Sequence, residues 1–202
     1  MLNIREINEG EIGKAVESLV QAFYDDRLVC YMFPDSKLRK EFITWFYFRW
    51  IQLLMKFNSV FVENNVRGVA VCVPPKLFPH IPLSYQIRAG LLGTISKLGL
   101  KNLWKPLRVY LDSQRRTKSE VKEPSWILDI LGVQPEFQGK GIGSTLVQHL
   151  ISLSNRDKVP AYLITHNEKN IVFYENNGFK LLKKEHSLTG GPPTCSLKYN
   201  PY

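Results

Sequence analysis

Three closely spaced glycines form the most specific chemical feature of the chain. Gly139, Gly141 and Gly143 follow an apolar run over residues 126–131 and precede a segment whose apolar residues recur at helical spacing. Glycine leaves the backbone accessible, and the first N–H groups of a helix have no partner within it and lie at the positive end of its dipole. A glycine loop between a strand and a helix is therefore a candidate phosphate site.

The spacing of this loop excludes two common phosphate motifs. There is no G-x-G-x-x-G followed about 20 residues later by an acid, and no Gly-Lys-Ser/Thr. The pattern is instead Q-x-x-G-x-G, carried by Gln138, Gly141 and Gly143. It resembles the pyrophosphate-binding loop of the GCN5-related N-acetyltransferases (GNAT). A second segment, from Asn170 to Phe179, resembles the N-x-x-F-Y-x-x-x-G-F pattern of that family.

The resemblance implies an α/β fold with a central mixed, mostly antiparallel sheet of about seven strands, helices on both faces, and strands four and five splayed. It also implies acetyl-CoA as the donor, with direct transfer in a ternary complex. By the same resemblance, the cofactor would contact Leu131, Gly132, Val133, Gln138, Gly139, Lys140, Gly141, Ile142, Gly143, Ser144, Asn167, Asn170 and Tyr174. Tyr174 matches the family's usual general acid; the alternative is a tyrosine that only packs.

The acceptor amine must lose a proton before it can attack. A lysine-like amine has a pKa of about 10.4, so making it neutral at pH 7 costs roughly 4–5 kcal/mol. Asp129 is the candidate base, because an aspartate between apolar neighbours in a strand indicates a wet cleft or a partner. A purely structural aspartate is the equal alternative, and Asp25, Asp26 and Glu41 are weaker candidate bases.

Aromatic and acidic residues in the first quarter of the chain are candidates for the acceptor site: Tyr24, Asp25, Asp26, Tyr31 and Phe33. The aromatic segment from Phe42 to Leu54 predicts a helix that is apolar on nearly all sides. Such a helix either packs only as core or also lines the acceptor pocket, and a membrane-surface role is a weaker third interpretation.

Composition is typical of an ordinary globular protein and indicates one domain over residues 1–202. We expect a cytoplasmic protein without a signal peptide or bound metal, because three cysteines and four histidines show no ligand spacing. The net charge of +9 suggests a nucleic-acid partner, but binding of an anionic cofactor explains part of this positive charge. We therefore expect no nucleic-acid or membrane partner, and a monomer or homodimer.

Hydrophobic periodicity predicts the order of elements. Residues 76–122 form a helical insertion between strands three and four, Ser36 caps the long helix, and Asn64-Asn65 forms a hairpin turn with positive φ. The predicted strands cover residues 3–7, 59–63, 67–73, 125–133, 159–165, 179–185 and 194–199; the predicted helices cover residues 9–23, 36–54, 83–98, 100–118, 141–155 and 170–176.

These observations predict an N-acetyltransferase that acts on a primary amine of a small molecule. The alternatives are a protein N-terminal or lysine acetyltransferase and a non-catalytic acyl-CoA-binding module. Lys122 to Trp126 and Gly191 to Thr194 resemble puromycin N-acetyltransferase-type members of the family.

Overall fold

The computed structural model describes residues 2–78, 91–186 and 190–201. Its strands are β1 (Ile4–Glu6), β2 (Val60–Glu63), β3 (Gly68–Val73), β4 (Trp126–Val133), β5 (Ala161–Thr165), β6 (Lys180–Glu185) and β7 (Thr194–Tyr199). Its helices are α1 (Ile12–Phe23), α2 (Arg27–Met32), α3 (Ser36–Leu54), α4 (Leu91–Leu98), α5 (Trp104–Glu120), α6 (Ile142–Asp157) and α7 (Lys169–Asn176).

All seven strands belong to one sheet, in the order β1-β2-β3-β4-β5-β7-β6. Every neighbouring pair is antiparallel except β4 and β5, which run parallel. A parallel pair needs a crossover connection, and α6 supplies it. The predicted fold class, a mixed and mostly antiparallel sheet between helices, is confirmed.

Each face of the sheet carries its own core, because alternate residues of a strand point to opposite faces. On β3, Val69 and Val71 pack on the side of α1 and α3. Ala70 and Cys72 pack on the side of α6 and α7. The central strands of the sheet are thereby held between two layers of helices.

Strands β4 and β5 separate part-way along their length. Their pairing runs from Trp126 opposite Ala161 to Leu128 opposite Leu163 and stops there. The rest of β4 stays paired with β3 up to Val133, which lies opposite Gly68. One backbone edge of this outer half of β4 therefore has no strand beside it, as the splayed geometry requires.

A bulge in β4 falls on Asp129. Ile130 lies opposite Val71 and Leu128 opposite Cys72, so Asp129 has no partner on β3. A bulge of this kind redirects a side chain and bends the strand. The irregularity therefore lies at the point where β4 leaves β5.

Several local predictions were wrong. Helix α2 was not predicted, because its six residues are too few to show a period. Asp35, not Ser36, caps α3, with its carboxylate accepting from the Leu38 N–H at 2.7 Å. In the β2–β3 turn the residue with positive φ is Val66, at 60°. Its carbonyl accepts a hydrogen bond from the Ser18 hydroxyl at 2.5 Å, which helps to hold this conformation.

The predicted helices of the insertion are present as α4 and α5 where the structure describes them. The stretch 83–90 of the first predicted helix lies outside the described residues. Within the described ranges, no helix is both long enough and apolar enough to cross a lipid bilayer.

Candidate active site

The loop between β4 and α6 presents accessible main chain to solvent. Gly139 and Gly141 have φ angles of 72° and 83°, which glycine adopts without the strain that a side chain would bring. A Cβ at Gly139 would meet nothing within 4 Å. Ile142 is buried and begins α6, so its side chain anchors the helix while the first N–H groups remain at the loop. These residues fit a pyrophosphate group.

The rest of the loop is fastened to its neighbours. The Gln138 side-chain amide donates to the Val133 carbonyl at 3.0 Å, which ties the loop to the end of β4. A Cβ at Gly143 would lie 3.4 Å from the Phe173 ring, so the absent side chain lets α6 approach α7. Ser144 accepts a hydrogen bond from the Asn177 amide at 3.4 Å. The loop is thus held by both the sheet and the neighbouring helix.

Two cationic side chains lie over the same aromatic ring, Phe137, beside the loop. Lys140 Nζ lies 4.8 Å from the centroid of Phe137, and the Arg67 guanidinium lies 4.5 Å from it. Arg67 also pairs with Glu63 at 3.0 Å, so its charge is partly compensated. Sequence reasoning identified Lys140 but missed Arg67, which precedes β3 and reaches the loop only through the fold.

The outer half of β4 combines an accessible edge with a tight core contact. A Cβ at Gly132 would lie 2.7 Å from Leu19 Cδ2 and 3.0 Å from the Phe23 ring. Glycine at this position therefore lets α1 pack closely against the sheet. Leu131 and Val133 are half-buried and flank it, opposite Ala70 and Gly68 of β3.

Asp129 is bonded to a residue from the long aromatic helix. The Trp50 indole N–H donates to Asp129 Oδ2 at 2.7 Å. Crowding by protein atoms raises the pKa of Asp129, and the Trp50 hydrogen bond opposes this rise. The residue is nevertheless exposed, so water can reach the carboxylate. Sequence reasoning did not identify Trp50 as a partner of Asp129.

Further ionisable groups influence one another near Asp129. Burial raises the pKa of Tyr47, and the charges of Asp26 and Asp129 raise it further. Burial lowers the pKa of His166, which directly follows β5, while the charge of Asp26 opposes that effect. Asp26 therefore lies close enough to influence both groups. His166 was missed by sequence reasoning, although it immediately precedes Asn167, a predicted cofactor contact.

Tyr174 is buried with its ring against Phe173 and Phe179, at centroid separations of 5.0 and 6.0 Å. Among the described residues, its hydroxyl has no hydrogen-bond partner. Burial raises the pKa of this phenol, so it holds its proton at neutral pH. The environment is therefore compatible with both the packing role and the proton-donor role.

The two asparagines before and within α7 differ in their surroundings. Asn167 Oδ1 accepts from the Lys169 N–H at 3.2 Å and so caps the first turn. The Asn170 side-chain amide has no hydrogen-bond partner within the described part of the chain, and it is half-buried. Asn170 is the better placed of the two to bind a ligand with its side chain.

The candidate acceptor residues occupy different environments. Asp26 caps α2, accepting from the N–H groups of Leu28 and Val29 at 2.9 and 3.1 Å, and Asp25 is exposed. The Tyr24 ring packs against the Arg39 guanidinium at 4.8 Å. The Tyr31 carbonyl accepts a hydrogen bond from Lys105 of α5 at 3.0 Å.

Phe33 requires a correction. Only 1% of its surface is exposed, and its ring packs on Phe42 at 4.7 Å. The short helix α2 turns this side chain into the core, so it does not line an acceptor pocket.

Comparisons with known proteins agree with this geometry. Residues 108–181 match the family model of the acetyltransferase (GNAT) domain. An uncharacterized N-acetyltransferase of Schizosaccharomyces pombe is 24% identical over 183 residues, which cover 87% of this chain and 73% of that protein.

Solved structures share the fold across the whole chain. A Corynebacterium glutamicum protein described as histone acetyltransferase HPA2 and related acetyltransferase superposes with a TM-score of 0.66 at 18% identity, covering 100% of this chain and 97% of its own. Drosophila melanogaster polyamine N-acetyltransferase superposes with a TM-score of 0.60 at 15% identity, covering 99% of this chain and 100% of its own. The NatC complex bound to Gag peptide and CoA superposes with a TM-score of 0.53 at 16% identity, covering 100% of this chain and 99% of the matched chain.

Proposed function

Taking the chain as an acyltransferase with a GNAT domain, we propose that it transfers the acetyl group of acetyl-CoA to a primary amine of a small molecule. Transfer is direct, with both substrates bound. The observation that carries this proposal is the splayed end of the sheet. There the unpaired half of β4 continues into the glycine loop, and Asp129 lies at the point of divergence.

The donor is held by main chain and supplies an activated acyl group as its thioester. The N–H groups between Gly139 and Ser144 bind its pyrophosphate, and Lys140 adds positive charge nearby. The free backbone edge of Leu131 to Val133 binds the extended arm as a neighbouring strand would. A backbone N–H on this edge stabilises charge that develops on the reacting carbonyl. Asn167 and Asn170 contact the same arm.

The proton of the acceptor amine passes to Asp129, directly or through water. A carboxylate whose pKa is raised is a stronger base, and the Trp50 N–H keeps it oriented and ionised. Together with Asp25 and Asp26, this side of the site carries negative charge that attracts an ammonium group. Tyr24 and Tyr31 contribute to the walls of the same acceptor site.

Tyr174 holds the second proton of the reaction. Its hydroxyl stays protonated in its buried position and is available to the departing thiolate. It has no competing partner among the described residues, which supports this role over a purely structural one.

Two observations support a small amine over a protein. The Trp50–Asp129 hydrogen bond joins α3 to β4 across the cleft, and α5 covers the Tyr31 segment, so an open peptide groove would require both contacts to rearrange. The fold is also that of a polyamine N-acetyltransferase. The protein-substrate alternative is supported by the fold shared with a peptide-bound complex. The puromycin-type resemblance and the cytoplasmic location stay predictions.

The test is a panel of acceptors assayed by release of free CoA, detected with DTNB. Agmatine, spermidine, an arylalkylamine and free lysine are compared with tetrapeptides bearing a free N-terminus or a lysine side chain. We expect at least one small amine to exceed every peptide at least tenfold in kcat/KM. A peptide that is preferred would refute the small-molecule assignment. CoA release that no acceptor accelerates above hydrolysis would refute amine acetylation itself.

A further inference from the structure

Helix α5 carries an apolar ridge that faces away from the protein. Trp104, Leu107 and Leu111 expose 50, 53 and 55% of their surfaces, which is unusual for such large apolar side chains. Their spacing of three and seven residues places them on one face of the helix. Most of the large apolar side chains in the described residues are covered by comparison, so the ridge is a candidate binding surface.

The opposite face of α5 is fixed to the rest of the fold. At the start of the helix, Lys105 donates to the Tyr31 carbonyl at 3.0 Å. In its last turns, the buried Arg116 pairs with Glu185 of β6, and Glu120 accepts from the Tyr162 hydroxyl at 3.0 Å. These contacts fix α5 to the rest of the fold and leave the ridge exposed.

The charges beside the ridge are mainly positive. Between residues 91 and 111 the chain contains no aspartate or glutamate, but it contains Lys97, Lys101, Lys105 and Arg108. Asp112, which directly follows Leu111, is paired with Arg115 at 2.9 Å. Lys97, Lys101 and Arg108 are exposed, and Arg108 lies beside the ridge one residue from Leu107. A helix with tryptophan and leucine on one face and cations at its border is typical of binding to an anionic lipid surface.

We propose that this surface, formed by Trp104, Leu107, Arg108 and Leu111 with Lys101, docks the protein on anionic membranes. A second copy of the chain would bring like charges together, which disfavours self-association through the same patch. A nucleic acid would use the cations but leave the apolar ridge in water. A bilayer surface matches both properties. The proposal goes beyond the acetyl-transfer function and replaces the expectation of no membrane partner.

The test is co-sedimentation of the full chain with sucrose-loaded vesicles. Vesicles of phosphatidylcholine with about a third phosphatidylserine are compared with pure phosphatidylcholine, near physiological salt and at a severalfold higher concentration. We expect binding to the anionic vesicles that high salt weakens. Removal of one cation by Lys101→Gln should weaken binding about fivefold, which corresponds to ~1 kcal/mol per basic residue near such a surface.

Matched variants distinguish binding through the ridge from non-specific hydrophobic binding. The double change Leu107→Gln and Leu111→Gln should weaken binding about tenfold or more, since burial of even one leucine side chain changes the partition by about that factor. The control is Leu181→Gln with Leu182→Gln on β6, where two leucines are 39 and 45% exposed. Lys180→Gln is the control for the lysine change. Thermal unfolding checks that every variant is folded.

A second measurement does not depend on a polar substitution. Vesicle binding should shift the fluorescence emission to the blue, and Trp104→Phe should remove most of that shift while binding is retained. No binding, or equal losses in ridge and control variants, would overturn the proposal. If the protein forms a dimer that the ridge variants dissociate, the partner is a second copy of the chain and the proposal is overturned. If it binds nucleic acid in a salt-sensitive way but does not bind vesicles, the partner is nucleic acid and the proposal is likewise overturned.

Discussion

Replacing Trp50 by phenylalanine should change how the reaction rate depends on pH. The phenyl ring preserves the stacking on Phe46, whose centroid lies 5.8 Å from that of Trp50. The substitution removes the indole N–H that donates to Asp129 at 2.7 Å. That hydrogen bond lowers the pKa of Asp129 against the effect of burial, so its loss should raise the pKa of the carboxyl further.

The sign of the effect follows from the role of the base. Asp129 must be ionised to accept a proton, so kcat/KM for the amine falls as the pH decreases through its pKa in the enzyme form that binds the amine. A higher pKa in the variant moves this acidic limb towards higher pH. A hydrogen bond to a charged group contributes about 1.5–3 kcal/mol, and the accessible surface of Asp129 favours the lower end. We therefore expect about a tenfold loss of kcat/KM on the acidic side.

The assay is the pH profile of kcat/KM for the best amine at saturating acetyl-CoA, measured by CoA release. Trp45→Phe is the matched control, because Trp45 lies on the same helix and packs on Phe42 at 5.6 Å. Asp129→Asn should remove the acidic limb assigned to this carboxyl. A profile that Trp50→Phe leaves unchanged, or one that Trp45→Phe shifts equally, would refute the role of Trp50 as a positioning residue.

Three further substitutions test other parts of the site and its support. Tyr174→Phe should lower kcat about 100-fold or more, as loss of a general acid does. Calorimetry should find the acetyl-CoA affinity of this variant nearly unchanged. A wild-type kcat would exclude the acid role. Gly141→Asp should weaken CoA binding about tenfold or more by repulsion of phosphate, whereas Gly99→Asp, also at positive φ, should not. Gly132→Ala should destabilise the fold by about 1–3 kcal/mol in urea unfolding because its Cβ would overlap α1. Gly13→Ala, where a Cβ meets nothing within 4 Å, should instead stabilise it slightly.

The sheet and its main helices were predictable because their signals are local and repeated. Strand β7 was predicted with its bounds, and α6 within two residues at its C-terminal end. The errors occur where a tertiary contact determines the backbone conformation. Val66 adopts positive φ with its carbonyl bonded to Ser18, a residue 48 positions away. The turn sequence Asn64-Asn65 gives no sign of that contact, because its partner lies in α1.

The same distinction explains which half of the proposed site the sequence indicates. The proposed donor side uses main chain from one continuous segment, Gln138 to Ser144, so its glycines and their spacing carry the information. The proposed acceptor side consists of side chains from separate elements. Trp50 and Asp129 are 79 residues apart and meet because the fold brings α3 to the bulge within β4 that leaves Asp129 without a partner on β3. The sequence indicates that Asp129 is unusual for a strand, but only the fold supplies the Trp50 donor that opposes the rise of its pKa. Acceptor specificity should therefore change through substitutions on α2 and α3 that leave the glycine loop and acetyl-CoA affinity untouched.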